Sequence, residues 1–162
     1  MALAESLFGR NPRATLIRAA ALVAAAIVVF GWMLVPLRLS GISMLPTYTD
    51  GALNFANRAS YWVREPARGD VVAIRMAGTS AVYVKRIIGM PGERLEIVEG
   101  TVTIDGEPLI ESTVVRRAPW NLAPVAVGPD EFFVAGDNRS MRIEHHDLGR
   151  VRRSRIVGKL LF

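Results

Sequence analysis

The run Ala19–Leu37, AAALVAAAIVVFGWMLVPL, is nineteen residues without a charge, and it limits the choices open to the whole chain. Wound as a helix at about 1.5 Å per residue it reaches about 28 Å, close to the roughly 30 Å hydrocarbon core of a bilayer. Arg18 and Arg38 bracket it, and Trp32 and Pro36 near its end suit an interface and a helix exit. A buried core helix of this length needs partner helices, and no second helical pattern follows. A cleaved leader has a shorter apolar core and a polar, small-residue cleavage region. This run leads instead into bulky Trp32, Met33 and Leu34, so it reads as a permanent transmembrane anchor.

Charge sets the expected orientation. Before the anchor, residues 1–18 carry Arg10, Arg13 and Arg18 against one acid, Glu5, which makes them a cytoplasmic basic tail with residues 38–162 on the far side. The absence of cysteine suits an exported domain that avoids stray disulfides. A net charge of +5 invites a nucleic-acid reading, but the cations are scattered outside Arg116-Arg117 and the cluster Arg150, Arg152, Arg153 and Arg155. Nor do aromatic and basic residues interleave as on a single-strand platform. A basic exported domain beside anionic lipid headgroups is one explanation and a solvated basic face the other, so the charge points to membrane lipids as partner and to no nucleic acid.

After the anchor the pattern shifts to short strands with turn punctuation. Strands are expected at Arg38–Ser43, Ala52–Asn57, Asp70–Met76, Ala81–Gly89, Arg94–Val98, Thr101–Ile104, Glu131–Ala135 and Ile156–Phe162, with a hairpin at Gly78-Thr79-Ser80. The stretch Arg116–Val127, with two prolines, reads as an irregular loop. The fold class is therefore mostly β: one N-terminal transmembrane helix, then a compact antiparallel β domain of about 120 residues, enough for one modest core. Trp62 and Trp120 fit equally well in that core or at a bilayer surface.

Ser43, in Ser40–Thr47 (SGISMLPT), is the candidate nucleophile, and a serine hydroxyl needs a base. His145 and His146 are adjacent, so on an extended segment at most one faces a given site, and EHHDLG reads best as a polar loop. No further histidine or cysteine completes a zinc shell, so neither metal nor cofactor is expected. Among the twenty basic residues only Lys85 and Lys159 are lysine, and arginine stays protonated at working pH. Alternation in AVYVKRIIG puts Lys85 on one face with Ala81, Tyr83 and Ile87. Burial there lowers an ammonium's pKa and makes a base; an edge-strand lysine with its ammonium in solvent is the other reading. Lys159, in VGKLLF, suits a surface strand end equally well.

Several segments together resemble the type I signal peptidases, membrane-bound Ser/Lys proteases. SGISMLPT is similar to their nucleophile box, Gly69–Val72 (GDVV) to the next, Tyr83–Glu93 (YVKRIIGMPGE) to the lysine box, and Gly136–Arg139 (GDNR) to the last. The resemblance implies Ser43 as nucleophile, Lys85 as general base, and an oxyanion held partly by the Ser43 N–H. It implies that Met44 shapes the substrate site and that Asp137 and Arg139 hold the site together. Gly41 stands where some members carry a second oxyanion hydroxyl. One departure is plain: the family often continues GDNR as x-x-Ser-x-Asp-Ser-Arg, with that serine orienting the lysine, and here the Asp-Ser-Arg run is missing and Arg142 stands at the serine's position. Ser140, a backbone carbonyl or a water is left to replace it. The implied function is removal of signal peptides from preproteins after small, Ala-x-Ala-like residues at a bacterial cytoplasmic membrane. A dedicated conjugation- or pilin-type peptidase with the same dyad, and a tethered preprotein-binding β domain that does not cut, are the alternatives.

Overall fold

The computed structural model describes residues 11–75 and 81–161, in two compact units that divide between Val35 and Pro36. In the first unit, helix α1 (Pro12–Val28) continues as a π-helical turn, Val29–Met33. Its start is written locally: Asn11 Oδ1 accepts from Ala14 N at 3.3 Å, and Pro12 holds the first helical position, where its missing N–H costs nothing. The continuous helical span Pro12–Met33 is 22 residues long and has no buried residue. The helix thus begins earlier than expected, taking in Arg13 and Arg18, and also ends earlier. Leu34–Arg38 is extended as strand β1, because Pro36 disfavours helical geometry at Val35 and has no N–H to continue the ladder.

The second unit is built from two antiparallel sheets. The larger one has β1, β2 (Leu53–Asn57), β3 (Val71–Arg75), β4 (Val82–Gly89), β9 (Glu131–Ala135), β10 (Gly149–Arg152) and β11 (Ile156–Leu160), in the order β1-β2-β11-β3-β4-β9-β10. The smaller has β5 (Arg94–Val98), β6 (Thr101–Ile104), β7 (Glu107–Pro108) and β8 (Leu122–Ala126), in the order β7-β6-β5-β8. Period-two alternation on the central strands β4 and β9 feeds two separate cores. Ile87, Phe132 and Val134 pack with Val72, Ile74, Ile156 and Tyr61. Their neighbours Ile88, Phe133 and Ala135 pack with Leu95, Ile97, Val102, Trp120 and Val127. Gly89 lets β4 run this close to β9, since a Cβ there meets Phe133 Cβ at 2.8 Å.

Three expectations change. The strand expected at Arg38–Ser43 stops at Arg38, and Ser40–Ser43 lie in a turn. The expected loop Arg116–Val127 contains β8, paired with β5; Pro124 is tolerated because β8 is the sheet edge. Strand β10, GRVR, escaped notice because an edge strand carries charge where a central one carries apolar side chains. The hairpin expected at Gly78-Thr79-Ser80 lies outside the described residues. Trp120 is core, 3% exposed, with its indole N–H donating to Met141 O at 2.6 Å; Trp62 is exposed.

Candidate active site

The turn carrying Ser43 is closed at its base by Leu39 and stiffened from within. Leu39 N donates to Ala52 O (2.8 Å), and Gly51 N to Leu39 O (2.9 Å). Gly41 adopts φ +96°, a conformation that favours glycine, and its N–H donates to Asp50 Oδ1 at 2.8 Å. That bond commits the Gly41 N–H to the turn. Leu45 N to Ile42 O (3.2 Å) and Tyr48 N to Met44 O (3.0 Å) complete the turn, and the Met44 side chain is buried. Gly41, Ser43 and Met44 then form one wall of a cleft of about 630 Å³, whose other wall includes Tyr83, Lys85 and Asp147.

Lys85 is 3% exposed and lies on the face expected from alternation. Its cross-strand partner is Val72, and Tyr83 pairs with Ile74, both members of the core on that face. Burial lowers the Lys85 pKa from its ordinary value, and the Asp147 charge partly opposes the fall. The other lysine is spent elsewhere. Lys159 Nζ donates to Asp70 Oδ1 at 2.7 Å, while Asp70 Oδ2 accepts from Tyr61 Oη (3.0 Å), Arg64 Nη2 (3.0 Å) and Ala67 N (3.1 Å). Burial works against ionisation of Asp70, but the Lys159, Ala67 and Tyr61 hydrogen bonds hold its carboxyl below the usual range. The GDVV segment is therefore a structural knot, and Lys159 belongs to it.

Each residue of GDNR has a visible task in holding the serine turn. Gly136 presses against it: a Cβ there meets Ser43 O at 2.2 Å and the His146 ring at 2.7 Å. Asp137 accepts from Arg86 Nε (2.7 Å) and Nη2 (2.6 Å), a bidentate pair, and from Thr47 Oγ1 on the far arm of the turn. Asn138 N donates to Ser43 O and Asn138 Nδ2 to Ile42 O, each at 3.0 Å. Arg139 donates through Nε to Gly136 O (2.8 Å), pairs with Glu111 and lies over the Trp120 ring at 5.3 Å. Sequence reasoning marked Asp137 and Arg139 but passed over Gly136, Asn138, Arg86, Thr47 and Glu111. The first four sat inside quoted motifs, where spacing alone gives no side-chain task; Glu111 had no signal at all.

The segment after GDNR differs from its reading as a polar loop. His145 is exposed, but His146 is 6% exposed and meets Trp120 edge-on at 4.7 Å. Burial first, then the Lys85 and Arg139 charges, push its pKa down to about 4, so it is neutral at ordinary pH. Arg142 turns to solvent, its side chain 78% exposed and paired with Glu144 at 3.2 Å. Ser140 Oγ donates to Asn138 Oδ1 at 2.6 Å. Among the described residues, neither Arg142 nor Ser140 bonds to Lys85.

The sequence profile described as "Signal peptidase, peptidase S26" matches residues 13–162. Signal peptidase I of Bacillus amyloliquefaciens is 34% identical over 151 residues, covering 86% of this chain and 78% of that protein. Signal peptidase I of Leptolyngbya laminosa is 34% identical over 125 residues, 72% of this chain and 62% of its own length. The crystal structure of a signal peptidase I from Enterococcus faecalis V583 aligns with TM-score 0.51 and 25% identity, over 61% of this chain and 99% of that one. The fold and the matched profile define a serine endopeptidase. The chain belongs to the signal peptidase, peptidase S26 family, with the type I signal peptidases as its relatives.

Proposed function

We propose that the chain is a signal peptidase of the bacterial cytoplasmic membrane, anchored by the helix Pro12–Met33, that cuts preproteins after small residues with Ser43 as nucleophile and Lys85 as base. The observation that carries this reading is the shared cleft: Ser43 on one wall, and on the other a lysine 3% exposed whose ammonium is disfavoured by burial. Neutral Lys85 Nζ takes the Ser43 Oγ proton as Oγ attacks the scissile carbonyl carbon. The Ser43 N–H meets the oxyanion. Collapse breaks the C–N bond, and the Lys85 proton leaves on the amine of the mature protein. Water, giving one proton to Lys85, then attacks the acyl-enzyme; the C–Oγ bond breaks as Lys85 returns that proton to Ser43 Oγ, and the signal peptide leaves as a carboxylic acid that loses its proton to solvent.

Strand β4 supports extended binding. Strand β9 pairs with β4 only from Arg86 onward, so the Val82–Lys85 backbone faces the cleft along that side. An extended substrate adds there as a strand, placing alternate side chains against the wall that Met44 shapes. A helical span of 22 residues, charge-free from Ala19 onward and long enough to cross a bilayer, supports the anchor, with the first arginines on the cytoplasmic side and the catalytic unit outside, at the lipid surface. Preprotein cleavage by detergent-solubilised wild type, compared with Ser43→Ala and Lys85→Ala, tests the chemistry. The expected result is a single cut after a small residue by wild type alone. Cutting by either variant at the wild-type rate refutes the dyad.

A further inference from the structure

Lys85 needs a partner once it has taken the serine proton, because a buried ammonium with no counter-charge is costly. The position where many relatives carry an orienting hydroxyl does not supply one here, since Arg142 faces solvent and Ser140 is bonded to Asn138. The carboxylates around Lys85 sort cleanly. Asp137 is held by Arg86. Glu131, on β9, lines the neighbouring pocket but accepts from Gly128 N at 3.2 Å and pairs with Arg150 at 3.7 Å. Asp147 makes no ion pair among the described residues, and it lines both the Ser43 cleft and the adjoining 520 Å³ pocket, as do Lys85 and Tyr83.

We propose that Asp147 is the positioning residue for Lys85 in this chain: an exposed carboxylate at the mouth of the cleft that orients the lysine and stabilises its ammonium when the serine proton arrives. The proposal rests on the Ser43/Lys85 reading above. The remaining charged and titratable groups near this pair are arginines, tyrosines and neutral His146: Arg38 and Tyr48 beside the serine turn, Arg150 and Arg152 on β10, Arg155 in the turn before β11, and Tyr83 on β4 itself. None of these favours an ammonium at Lys85, which leaves the task to Asp147. The arrangement parallels a carboxylate behind a catalytic histidine, which stabilises the cation formed in the transition state without taking the proton.

Exposure has a consequence that a buried orienting group does not share. In the free enzyme, water screens Asp147 from Lys85; a peptide in the cleft displaces that water and strengthens the attraction. Asp147 therefore raises the Lys85 pKa more in the substrate complex than in the free enzyme. The pH profile of kcat/KM reports the free enzyme and that of kcat the complex. In Asp147→Asn the acid limb of both profiles moves to lower pH, and the limb of kcat moves further. The plateau kcat falls about ten- to a hundredfold, because the lysine loses its orientation and its counter-charge. Asp147→Glu keeps the charge and recovers most of the rate and the wild-type limb.

The experiment is a set of pH–rate profiles on a cleavable preprotein for full-length wild type, Asp147→Asn, Asp147→Glu and Lys85→Ala, with thermal melts to check folding. An inert Lys85→Ala together with a displaced acid limb in Asp147→Asn establishes the role. An inert Lys85→Ala with an unmoved limb in Asp147→Asn overturns this proposal alone, whatever happens to the rate. An active Lys85→Ala overturns the dyad and the proposal with it.

Discussion

Gly136→Ala is the smallest change that reaches the nucleophile, and its effect follows from three distances. The added Cβ lies 2.2 Å from Ser43 O and 2.7 and 2.8 Å from His146 Cε1 and Nε2. Ordinary contact begins near 3.4 Å, so relief requires about 1.2 Å of movement if the carbonyl yields alone. The histidine side offers little room, because His146 is wedged against Trp120 at 4.7 Å. The serine side is tied by Asn138, through Asn138 N to Ser43 O and Nδ2 to Ile42 O, each 3.0 Å. Forcing one extra carbon into such a site costs about 1–3 kcal/mol. A displacement of about 1 Å at a reacting group costs on the order of a hundredfold in rate. The expectation is therefore a folded variant with a melting point a few degrees lower and kcat/KM down about a hundredfold. Preprotein cleavage kinetics beside a thermal melt read both numbers. A Gly136→Ala protein that melts and cuts like wild type refutes the claim that GDNR acts by pressing on the serine turn.

Two further outcomes follow from buried groups. An unfolded histidine takes its proton near pH 6.5, whereas His146 in the fold resists until about pH 4, chiefly because it is buried. Its contribution is thus complete above about pH 6.5 and is lost as pH falls toward 4, by up to about 3 kcal/mol. Denaturant unfolding at pH 7, 5 and 4 shows this as a drop that is absent in His146→Gln; an equal drop in the variant assigns it to other groups. Lys159→Met leaves Asp70 with one cation fewer, and because the ammonium is partly exposed the loss is about 1 kcal/mol. Stability falls while kcat keeps its wild-type pH profile; a shifted profile in this variant means that Lys159, not only Lys85, enters the chemistry.

Most of the architecture was written in short-range patterns. A charge-free run of nineteen residues, Asn11-Pro12 at a helix start, and alternation through AVYVKRIIG are local facts, since helix length, capping and strand facing depend on neighbours a few residues away. The choice between the two lysines was half legible. Alternation placed Lys85 on an apolar face, but nothing near VGKLLF announces that Lys159 meets Asp70 across 89 positions. Strands β8 and β10 stayed hidden because edge strands tolerate proline and charge, and whether a strand is an edge is decided by the sheet.

What the sequence by itself determined is the cast and its order: an apolar span, a serine just beyond it, and one lysine on the apolar face of a strand. What only tertiary structure decided is which groups meet. Arg86 and Thr47 converge on Asp137, Gly136 backs onto Ser43, His146 is buried while His145 is not, and Asp147 comes to the cleft. Each of these depends on long-range packing of the 136–148 segment against the serine turn and β4. No residue's own neighbours in the chain encode that contact.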